Sequence, residues 1–584
     1  MTGVILTAAV TAVMGVAGYF LLRRREICTA TRALMWLNFV LPFAFGGFYT
    51  YFALPLTAFL LAVLLRTVKQ NGELRLKTNL STVAILLVVL GYLVTPLWAA
   101  DQGMAAFGMI RMLPLLLYLL LLLQIPAEER SGVLTLVPLS GAVMTLLSMA
   151  LLLIPELGTY MTISDRLAGF FAYPNTFAVF ALAGLLLVML KQEKKWQDYL
   201  TGGILVLGVI ASGSRTAFVF LGVAAVLLLI PKGRGKMAAF AAVAVAAGIG
   251  LSFLLAGFEP LSGADRFTTI DVSESTFLGR LLYYKDALTM ILRHPFGTGY
   301  WGWRVLQSGV QTGVYAVTFV HNSLLQLFLD IGWVPAIAVA IAFLKTIFSK
   351  KTSYTARAVL LVVLGHCLLD FDLEYLSIWL ILIPLLPTDD GKEKVLKKPR
   401  TPVLAVGSVM LALCLWLGTG DFLVQMGWSE ACLSVTPFHT DSLEKQLYGE
   451  TDMAKLAKTA DKMLRLCPTS SIAHSAKANV AFSRGEALLM MEEKELAIAN
   501  ARYTLVEYID YLDKLFALYQ AYSQMGDAGS AEFCARKILE VPGMMDSVID
   551  STAALAYRIA DVPELTLPAE YLQAIEDIKA IYGA

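Results

Sequence analysis

Residues 132–154 read GVLTLVPLSGAVMTLLSMALLLI, a run of 23 residues without a charged side chain. As a helix, a run of this length spans the hydrocarbon core of a bilayer, which takes about 20 residues. Apolar spans of the same kind recur along the chain at 4–22, 33–50, 52–65, 80–98, 106–125, 170–190, 200–212, 216–231, 237–256, 322–348, 356–371, 375–387 and 402–420. The sequence therefore predicts an all-α fold built on a polytopic transmembrane bundle of about 12–14 helices.

The overall composition also indicates a membrane protein. Of the 584 residues, 58% are hydrophobic and only 16% are charged, which is far too apolar for a soluble protein of this size. The formal net charge is +1 and the basic residues are spread through short loops, so we expect no nucleic-acid partner. The six cysteines lie far apart and form no CxxC pair. We therefore expect no metal site, no disulfide framework and no cofactor.

The distribution of lysine and arginine predicts how the bundle is oriented. Arg23, Arg24 and Arg25 follow the first apolar span, so we expect a retained helix with its N-terminus outside rather than a cleaved signal peptide. The basic loops then all fall on the cytoplasmic side, as the positive-inside rule requires. These further loops contain Arg66, Lys69, Arg75 and Lys77; Lys191, Lys194 and Lys195; Lys232, Arg234 and Lys236; Lys350 and Lys351; and Lys392 through Arg400. The long loop 257–321 is predicted to face outward.

The C-terminal part of the chain has a different character. After about residue 424, Lys, Glu, Asp and Ala replace Leu and Val, and no further span is long enough to cross a bilayer. The segments ADKMLRLCP (460–468) and ARKILEVP (535–542) are similar and lie about 75 residues apart, near twice the 34-residue tetratricopeptide period. Gly526 and Asp527 predict a tight turn between two helices. We predict a membrane domain at 1–424 and an extracytoplasmic tetratricopeptide-like domain at 425–584, with a generic helical bundle as the alternative.

Several arginines lie on the predicted outer side, against the positive-inside bias, and their positions require an explanation. Arg215 follows a short turn between two apolar spans, with no acidic residue nearby in sequence, so a bound anion would explain its position. Arg166 is either a second anion ligand or an interfacial arginine that reaches lipid headgroups. The loop 257–321 adds Arg280 and Arg293, and guanidinium groups bind phosphate oxygens in a bidentate manner. Its aromatic residues also fit an ordinary interfacial belt.

Four further residues are candidates for chemistry. His321 opens an apolar span and is either an interfacial residue or a general base, since a neutral imidazole accepts protons near pH 7. Asn175 follows a proline where a helix begins, and we expect its side chain to cap that helix. His366 and Asp370 are four residues apart, so we expect a buried ion pair on one helix face, or a carboxylate at Asp370 that orients a substrate sugar.

Six motifs occur in a fixed order along the chain. They are RLAGFFAYPNTFA (166–178), SRTA (214–217), GR (279–280), HPFGTGYW (294–301), HNSLLQ (321–326) and HCLLDFDL (366–373). In this order and with these intervals, the set resembles the O-antigen ligase and O-antigen polymerase family over roughly residues 80–390. Each motif is short and weak alone, so the resemblance depends on the ordered set.

The resemblance implies a GT-C-like, metal-independent, inverting glycosyltransferase of the cytoplasmic membrane. Its donor would be a glycan linked to polyprenyl pyrophosphate, used at the outer face. The matching positions make Arg215 and Arg280 the pyrophosphate ligands and His321 the catalytic base. We assign substrate contacts to a further set, namely Arg166, Asn175, Arg293, Asn322, His366 and Asp370.

The resemblance leaves the acceptor and the exact activity open. A ligase to a lipid core sugar, a polymerase of lipid-linked repeat units and a protein O-oligosaccharyltransferase all use the same donor. The tetratricopeptide-like domain would contact other envelope-assembly proteins. A transporter of lipid-linked oligosaccharide is a different class, which needs polar groups along a path through the bilayer. An assembly scaffold is the third possibility.

Overall fold

The structure is a computed structural model that describes residues 2–231, 235–269, 275–388 and 390–582. Two features of the sequence analysis fall partly outside these ranges. Lys232, Arg234 and the side chain of Lys236, which form one predicted basic loop, lie outside the described residues. So do residues 270–274 of the predicted loop 257–321.

The all-α prediction is confirmed, because helices form most of the described chain. The helices of the first 350 residues are α1 (Thr2–Leu22), α2 (Thr29–Val40), α3 (Ala53–Asn71), α4 (Leu80–Val94), α5 (Gln102–Arg111), α6 (Leu113–Leu122), α7 (Ala127–Arg130), α8 (Val137–Leu151), α9 (Pro155–Gly158), α10 (Pro174–Met189), α11 (Trp196–Ala211), α12 (Arg215–Leu229), α13 (Gly235–Ala256), α14 (Ser275–Arg293), α15 (Gly302–Leu306), α16 (Ser323–Ile331) and α17 (Trp333–Phe348). The later helices are α18 (Tyr354–Cys367), α19 (Leu376–Leu382), α20 (Arg400–Gln425), α21 (Ser429–Val435), α22 (Thr440–Gly449), α23 (Met453–Leu466), α24 (Ser471–Ser483), α25 (Ala487–Asn500), α26 (Leu505–Met525), α27 (Ala528–Asp550), α28 (Ala554–Arg558) and α29 (Ala569–Tyr582).

Many of these helices are apolar enough to lie in a membrane, as predicted. Among the described residues, six are also long enough to cross it: Thr2–Leu22, Thr50–Asn71, Leu80–Leu97, Gln102–Leu122, Ala127–Leu151 and Arg400–Gln425. Shorter apolar helices accompany them, among them α10, α11, α12, α17 and α18. The protein is therefore a polytopic helical membrane protein.

Local sequence explains where these helices begin and end. Pro174 occupies the first turn of α10, where its missing N–H costs nothing. Ser353 caps α18, because its hydroxyl accepts a hydrogen bond from the backbone of Ala356. Gly72 ends α3 in the left-handed region at φ 74°, and its N–H donates to the carbonyl of Val68.

A two-stranded ribbon joins two of the predicted basic loops. Strand β1 (Glu73–Thr78) pairs antiparallel with a strand at Lys392–Lys397, in a register that sets Arg75 opposite Val395. Neither strand was predicted from the sequence, although LRLK in β1 shows the alternation typical of strands. The pairing requires that these two loops lie on the same face of the bundle, in agreement with the positive-inside assignment.

The chain divides into two compact units. Unit 1 contains Met1–Val94, Phe107–Asp271 and His321–Met426, and unit 2 contains Thr95–Ala106, Val272–Val320 and Gly427–Ala584. Unit 1 holds the ribbon and most of the apolar helices. A second two-stranded piece in unit 1, β2 (Thr162–Ile163) with β3 (Arg166–Leu167), precedes the motif 166–178. The remaining strand, Lys392–Lys397, is therefore β4.

Unit 2 combines the C-terminal helices with the segment before His321. The backbone N–H of Val314 donates to the carbonyl of Asp561 at 2.9 Å, and that of Ala553 donates to the carbonyl of Thr312 at 2.8 Å. Among the C-terminal helices, α24 packs on α25 and α26 packs on α27. The predicted turn between the last two is confirmed, because Gly526 adopts φ 74° and Asp527 caps α27. The assignment of these hairpins as tetratricopeptide repeats stays a prediction.

His439 gives unit 2 a pH-dependent element. Its ring nitrogen Nδ1 accepts a hydrogen bond from the backbone of Ser442 and so caps α22. Burial lowers the pKa of His439 to about 4 from its ordinary value of 6.5. The folded state therefore holds the neutral ring, whereas an unfolded chain protonates it below pH 6.5. The contribution of neutral His439 to the stability of the folded state is fully present above pH 6.5 and is lost as the pH falls toward 4.

We predict that acidification from pH 7 to pH 4 lowers the free energy needed to open α22, by up to about 3 kcal/mol at pH 4. Hydrogen exchange of peptides from 440–449, corrected for intrinsic exchange rates, should show faster opening in the wild-type chain. His439→Asn keeps a capping oxygen but does not titrate, so its protection should change much less with pH. Equal acid sensitivity in both proteins would contradict the role given to His439.

Candidate active site

The carboxylate of Asp370 is the centre of the polar cluster in unit 1. Asp370 is fully buried, and its oxygens accept hydrogen bonds from the Tyr173 hydroxyl at 2.9 Å, Asn175 Nδ2 at 2.6 Å and the backbone of Phe371 at 2.9 Å. His321 Nδ1 lies 3.2 Å from the same carboxylate. These donors compensate the cost of burying a negative charge. Asp370 therefore joins residues from three distant parts of the sequence.

The predicted ion pair between His366 and Asp370 on one helix face is wrong. Helix α18 ends at Cys367, so Asp370 lies beyond it and the four-residue spacing no longer sets a shared face. His366 Nδ1 instead lies 2.6 Å from Asp372, which also accepts a hydrogen bond from Thr176 at 2.8 Å. Both members of the His366–Asp372 pair are completely buried. This pair supports the turn that carries Asp370.

His321 is held in an uncommon backbone conformation. It adopts φ 56°, in the left-handed region that non-glycine residues rarely occupy. The next residue, Asn322, caps α16 by accepting from the backbones of Leu324 and Leu325 at 3.0 Å each. Ser323 is tied to the carbonyl of Asp370 through its N–H and its hydroxyl. Such strain persists where the surroundings enforce it, which is typical of functional sites.

The contacts of Asn322 favour a positioning role. Its Nδ2 donates to the carbonyl of Leu368 at 2.8 Å while its oxygen caps α16. The residue therefore links the start of α16 to the end of α18 and holds the backbone of His321. The substrate contact assigned to Asn322 stays a prediction.

The geometry of the imidazole suits a base. With Nδ1 directed at Asp370, a proton exchanged with a substrate would pass through the second ring nitrogen, Nε2. The His321 side chain is 24% exposed, whereas Asp370 is fully buried. Phe371 packs against the ring with centroids 5.1 Å apart. A buried carboxylate that orients a partly exposed histidine is the arrangement that general bases use.

Arg166 brings positive charge to the other side of the cluster. It follows the tight turn at Ser164 and Asp165, where φ is 49° and 56°. The guanidinium donates from Nε to the carbonyl of Ser212 at 2.9 Å and from NH2 to Asn175 Oδ1 at 2.6 Å. The segment that carries Arg215 is therefore fixed to the turn that carries Arg166.

Two further arginines reinforce this charge. Burial, and then the positive charges of Arg266 and Arg215, lower the pKa of Arg166 to about 10. Arg166 remains charged at neutral pH, because this value lies well above 7. Arg215 is the first residue of α12, whose N-cap Ser214 accepts from the backbone of Ala217. Three arginines near one another favour a multiply charged anion such as a phosphate.

Asn175 connects the arginines to the carboxylate. The prediction that it caps the helix is wrong, because Tyr173 occupies the N-cap position and no side chain caps α10. Asn175 lies two residues after the N-cap, inside the helix. Its oxygen accepts from Arg166, and its nitrogen donates to Asp370 and, at 3.1 Å, to the Tyr173 hydroxyl. A single amide thus bridges a cation and an anion.

Four of the residues in this cluster were not among the predicted site residues. Tyr173 and Thr176 lie within the motif 166–178, and Asp372 lies within HCLLDFDL. Arg266 breaks the positive-inside bias in the same way as Arg166, but that signal alone assigned it no role in the site. The other three have no signal of their own in a single sequence. Their hydrogen bonds join positions about 200 residues apart.

Arg280 and Arg293 belong to unit 2, on α14. They are 13 positions apart, which is about 220° around a helix, so they lie on different faces. Arg293 is exposed and Arg280 is half-buried. The roles assigned to them stay predictions.

Residues 200–340 match the model of the family described as O-Antigen ligase. This stretch of the chain is an O-antigen ligase domain. The resemblance to the O-antigen ligase and polymerase family is thereby confirmed, and it assigns the protein a ligase-type or polymerase-type function in cell-surface polysaccharide assembly. The matched stretch of the ligase domain includes Arg215, Arg280 and His321. No protein of curated function matches the chain.

We predict that Asn175→Leu destabilises unit 1 by about 1–3 kcal/mol, because it removes the partner of the buried Asp370 carboxylate and of the half-buried Arg166 guanidinium. Thermal unfolding of the detergent-solubilised chain should show a lower Tm. Asn71→Leu is the matched control, since Asn71 is exposed at the end of α3, and its effect should stay within about 0.5 kcal/mol. An unchanged Tm for Asn175→Leu would show that the bridge does not hold the cluster together.

Proposed function

We propose that the protein transfers a glycan from a polyprenyl-pyrophosphate carrier to an acceptor hydroxyl at the outer face of the cytoplasmic membrane. The observation that carries this proposal is the continuous set of contacts through Asp370. On one side Asp370 meets the imidazole of His321, and on the other side Asn175 connects it to Arg166. A base and an anion-binding group are thus held by the same carboxylate.

In this proposal the arginines bind the pyrophosphate. Arg166 and Arg215 neutralise the negative charge that grows on the leaving phosphate, and Arg266 adds to the local field. Preorganised cations stabilise such charge in the transition state without reorganising during the reaction. The chain's own guanidinium groups therefore account for leaving-group stabilisation.

His321 activates the acceptor. Its Nε2 takes the proton of the acceptor hydroxyl while Asp370 stabilises the imidazolium through Nδ1. The hydroxyl oxygen forms a bond to the anomeric carbon, and the bond from that carbon to the pyrophosphate oxygen breaks. The pyrophosphate leaves with its lipid, and the single displacement inverts the anomeric centre. Tyr173 and Phe371, whose rings stack 4.6 Å apart beside His321, offer an aromatic surface for the sugar.

The direction of two packed helices supports an outer location. Helix α10 begins at the cluster and ends next to Lys191, whereas α18 begins after Lys351 and ends at the cluster. The cluster and the basic loops therefore lie at opposite ends of these helices. If the basic loops are cytoplasmic, the cluster faces outward.

Two other classes of function explain the cluster less well. A transporter needs polar groups along a path through the bilayer, yet the cluster gathers at one end of α10 and α18. A further buried charged pair joins Arg111 to Glu374 in the turn after α18, and its two groups contact each other at 2.9 Å. A scaffold would not require a buried carboxylate that orients a histidine. Ligase, polymerase and protein O-oligosaccharyltransferase activities share the proposed chemistry and differ in the acceptor.

Deletion of residues 427–584 is not a clean test of a scaffold role. Unit 2 also contains the segment before His321, and its backbone hydrogen bonds join Thr312 and Val314 to the C-terminal helices. Removing the tail would therefore disturb part of the predicted loop. Point substitutions are the better test.

We predict that His321→Ala lowers the rate of glycan transfer by about 10²–10⁴-fold, since the acceptor loses its general base. Arg215→Ala should lower it as well, through weaker binding of the pyrophosphate. The measurement is the loss of lipid-linked donor, and the gain of product, with the purified full-length chain in detergent. His294→Ala is the matched control, because His294 is an exposed histidine of unit 2.

Near wild-type transfer by a folded His321→Ala protein would overturn the role of the base. Movement of the donor across vesicle membranes without any product would instead favour the transporter. Products with one added repeat unit per lipid would identify a polymerase.

A further inference from the structure

Unit 1 contains a cavity at the end of the bundle that lies away from the Asp370 cluster. Its volume is about 700 Å³. Leu187 and Leu190 line it from the end of α10, and Ser353 and Thr355 line it from the start of α18. Helix α10 has 16 residues, so the two sites are about 24 Å apart along it. The cavity is therefore separate from the proposed catalytic site.

The walls of this cavity carry an excess of positive charge. Arg130, Lys191, Lys345 and Lys351 line it, and Asp390 is the one carboxylate among the lining residues that the structure describes. Lys191 is bonded to Asp198 at 2.7 Å, whereas Lys351 lies 3.9 Å from Asp390 with both groups mostly exposed. A surface pair of that length contributes little. The net charge of the lining is positive.

Helix dipoles do not change this result. Helices α4, α8 and α18 begin at the cavity and present positive ends, while α10 and α17 end there and present negative ends. Most of these opposed ends cancel one another, and none of the remainder favours a cation. The lysines and the arginine therefore decide that the cavity attracts anions.

The remaining lining is amphipathic. Leu80, Leu134, Pro138 and Leu385 supply apolar surface, and hydroxyls come from Ser81, Ser131, Thr135, Thr346 and Ser349. Apolar walls do not contribute to the binding of a small soluble anion. A molecule with a phosphate head and a hydrocarbon body matches both parts of the lining.

We propose that this cavity binds an anionic phospholipid, with the phosphate among Lys345, Lys351 and Arg130 and the acyl chains along the leucine-lined wall. Basic pockets between transmembrane helices on the cytoplasmic side are suited to such headgroups. The β1–β4 ribbon lies beside the cavity, since Asn79 of the cavity wall donates to the carbonyl of Asp390 at 2.5 Å. A bound lipid would thus hold helix ends and ribbon together at the membrane surface.

The test is native mass spectrometry of the full-length chain in detergent, titrated with phosphatidylglycerol or with phosphatidylcholine. We expect stronger retention of phosphatidylglycerol, and a several-fold loss of that retention in the double variant Lys345→Gln/Lys351→Gln. The control is Lys350→Gln/Lys69→Gln, which removes the same charge from exposed positions that do not line the cavity. The control should retain phosphatidylglycerol as the wild type does.

Three results would overturn the proposal. The first is equal retention of both lipids by the wild type. The second is equal loss in the cavity variant and in the control, which would indicate attraction to the whole basic face. The third is full displacement of phosphatidylglycerol by millimolar inorganic phosphate, which would identify a site for a soluble anion.

Discussion

The burial of the Asp370 carboxylate is the constraint on which the site depends. A charge at the end of an apolar bundle costs several kcal/mol unless donors surround it. The donors come from the start of α10, from His321 two residues before α16, and from the turn after α18. Three segments distant in sequence must therefore meet at one point. The same requirement places His321 and Asn175 on opposite sides of one carboxylate.

The turn after α18 contains two more buried carboxylates with partners, within the five residues that begin at Asp370. Asp372 is paired with His366, and Glu374 is paired with Arg111, which also donates to the carbonyl of Phe48 at 2.7 Å. Each acid is buried and each has a charged or polar partner from another helix. Removing one partner from such a pair leaves an uncompensated charge, which costs about 3–5 kcal/mol. This series of pairs makes the turn rigid enough to hold Asp370 and the strained backbone of His321.

The sequence predicted the parts of this arrangement that follow from local chemistry. Apolar spans predicted the helical membrane fold, and the positive-inside bias singled out Arg166 and Arg215 as unusual. The sequence could not predict partners, because hydrogen bonds such as that from Tyr173 to Asp370 join residues 197 positions apart. The two wrong assignments, Asn175 as a cap and His366 with Asp370 as a pair, both came from spacing alone. The N-cap of α10 lies two residues before Asn175, and α18 ends three residues before Asp370, so Asn175 and His366 have other partners than predicted.

The most direct test of the account is a structure of the full-length chain with a non-transferable analogue of a polyprenyl-pyrophosphate glycan. The account predicts that pyrophosphate oxygens lie at charge-assisted hydrogen-bond distance, about 2.7–2.9 Å, from guanidinium nitrogens of Arg166 or Arg215. It also predicts that the anomeric carbon faces His321 Nε2. An analogue bound elsewhere, with these arginines and His321 unengaged, would contradict it.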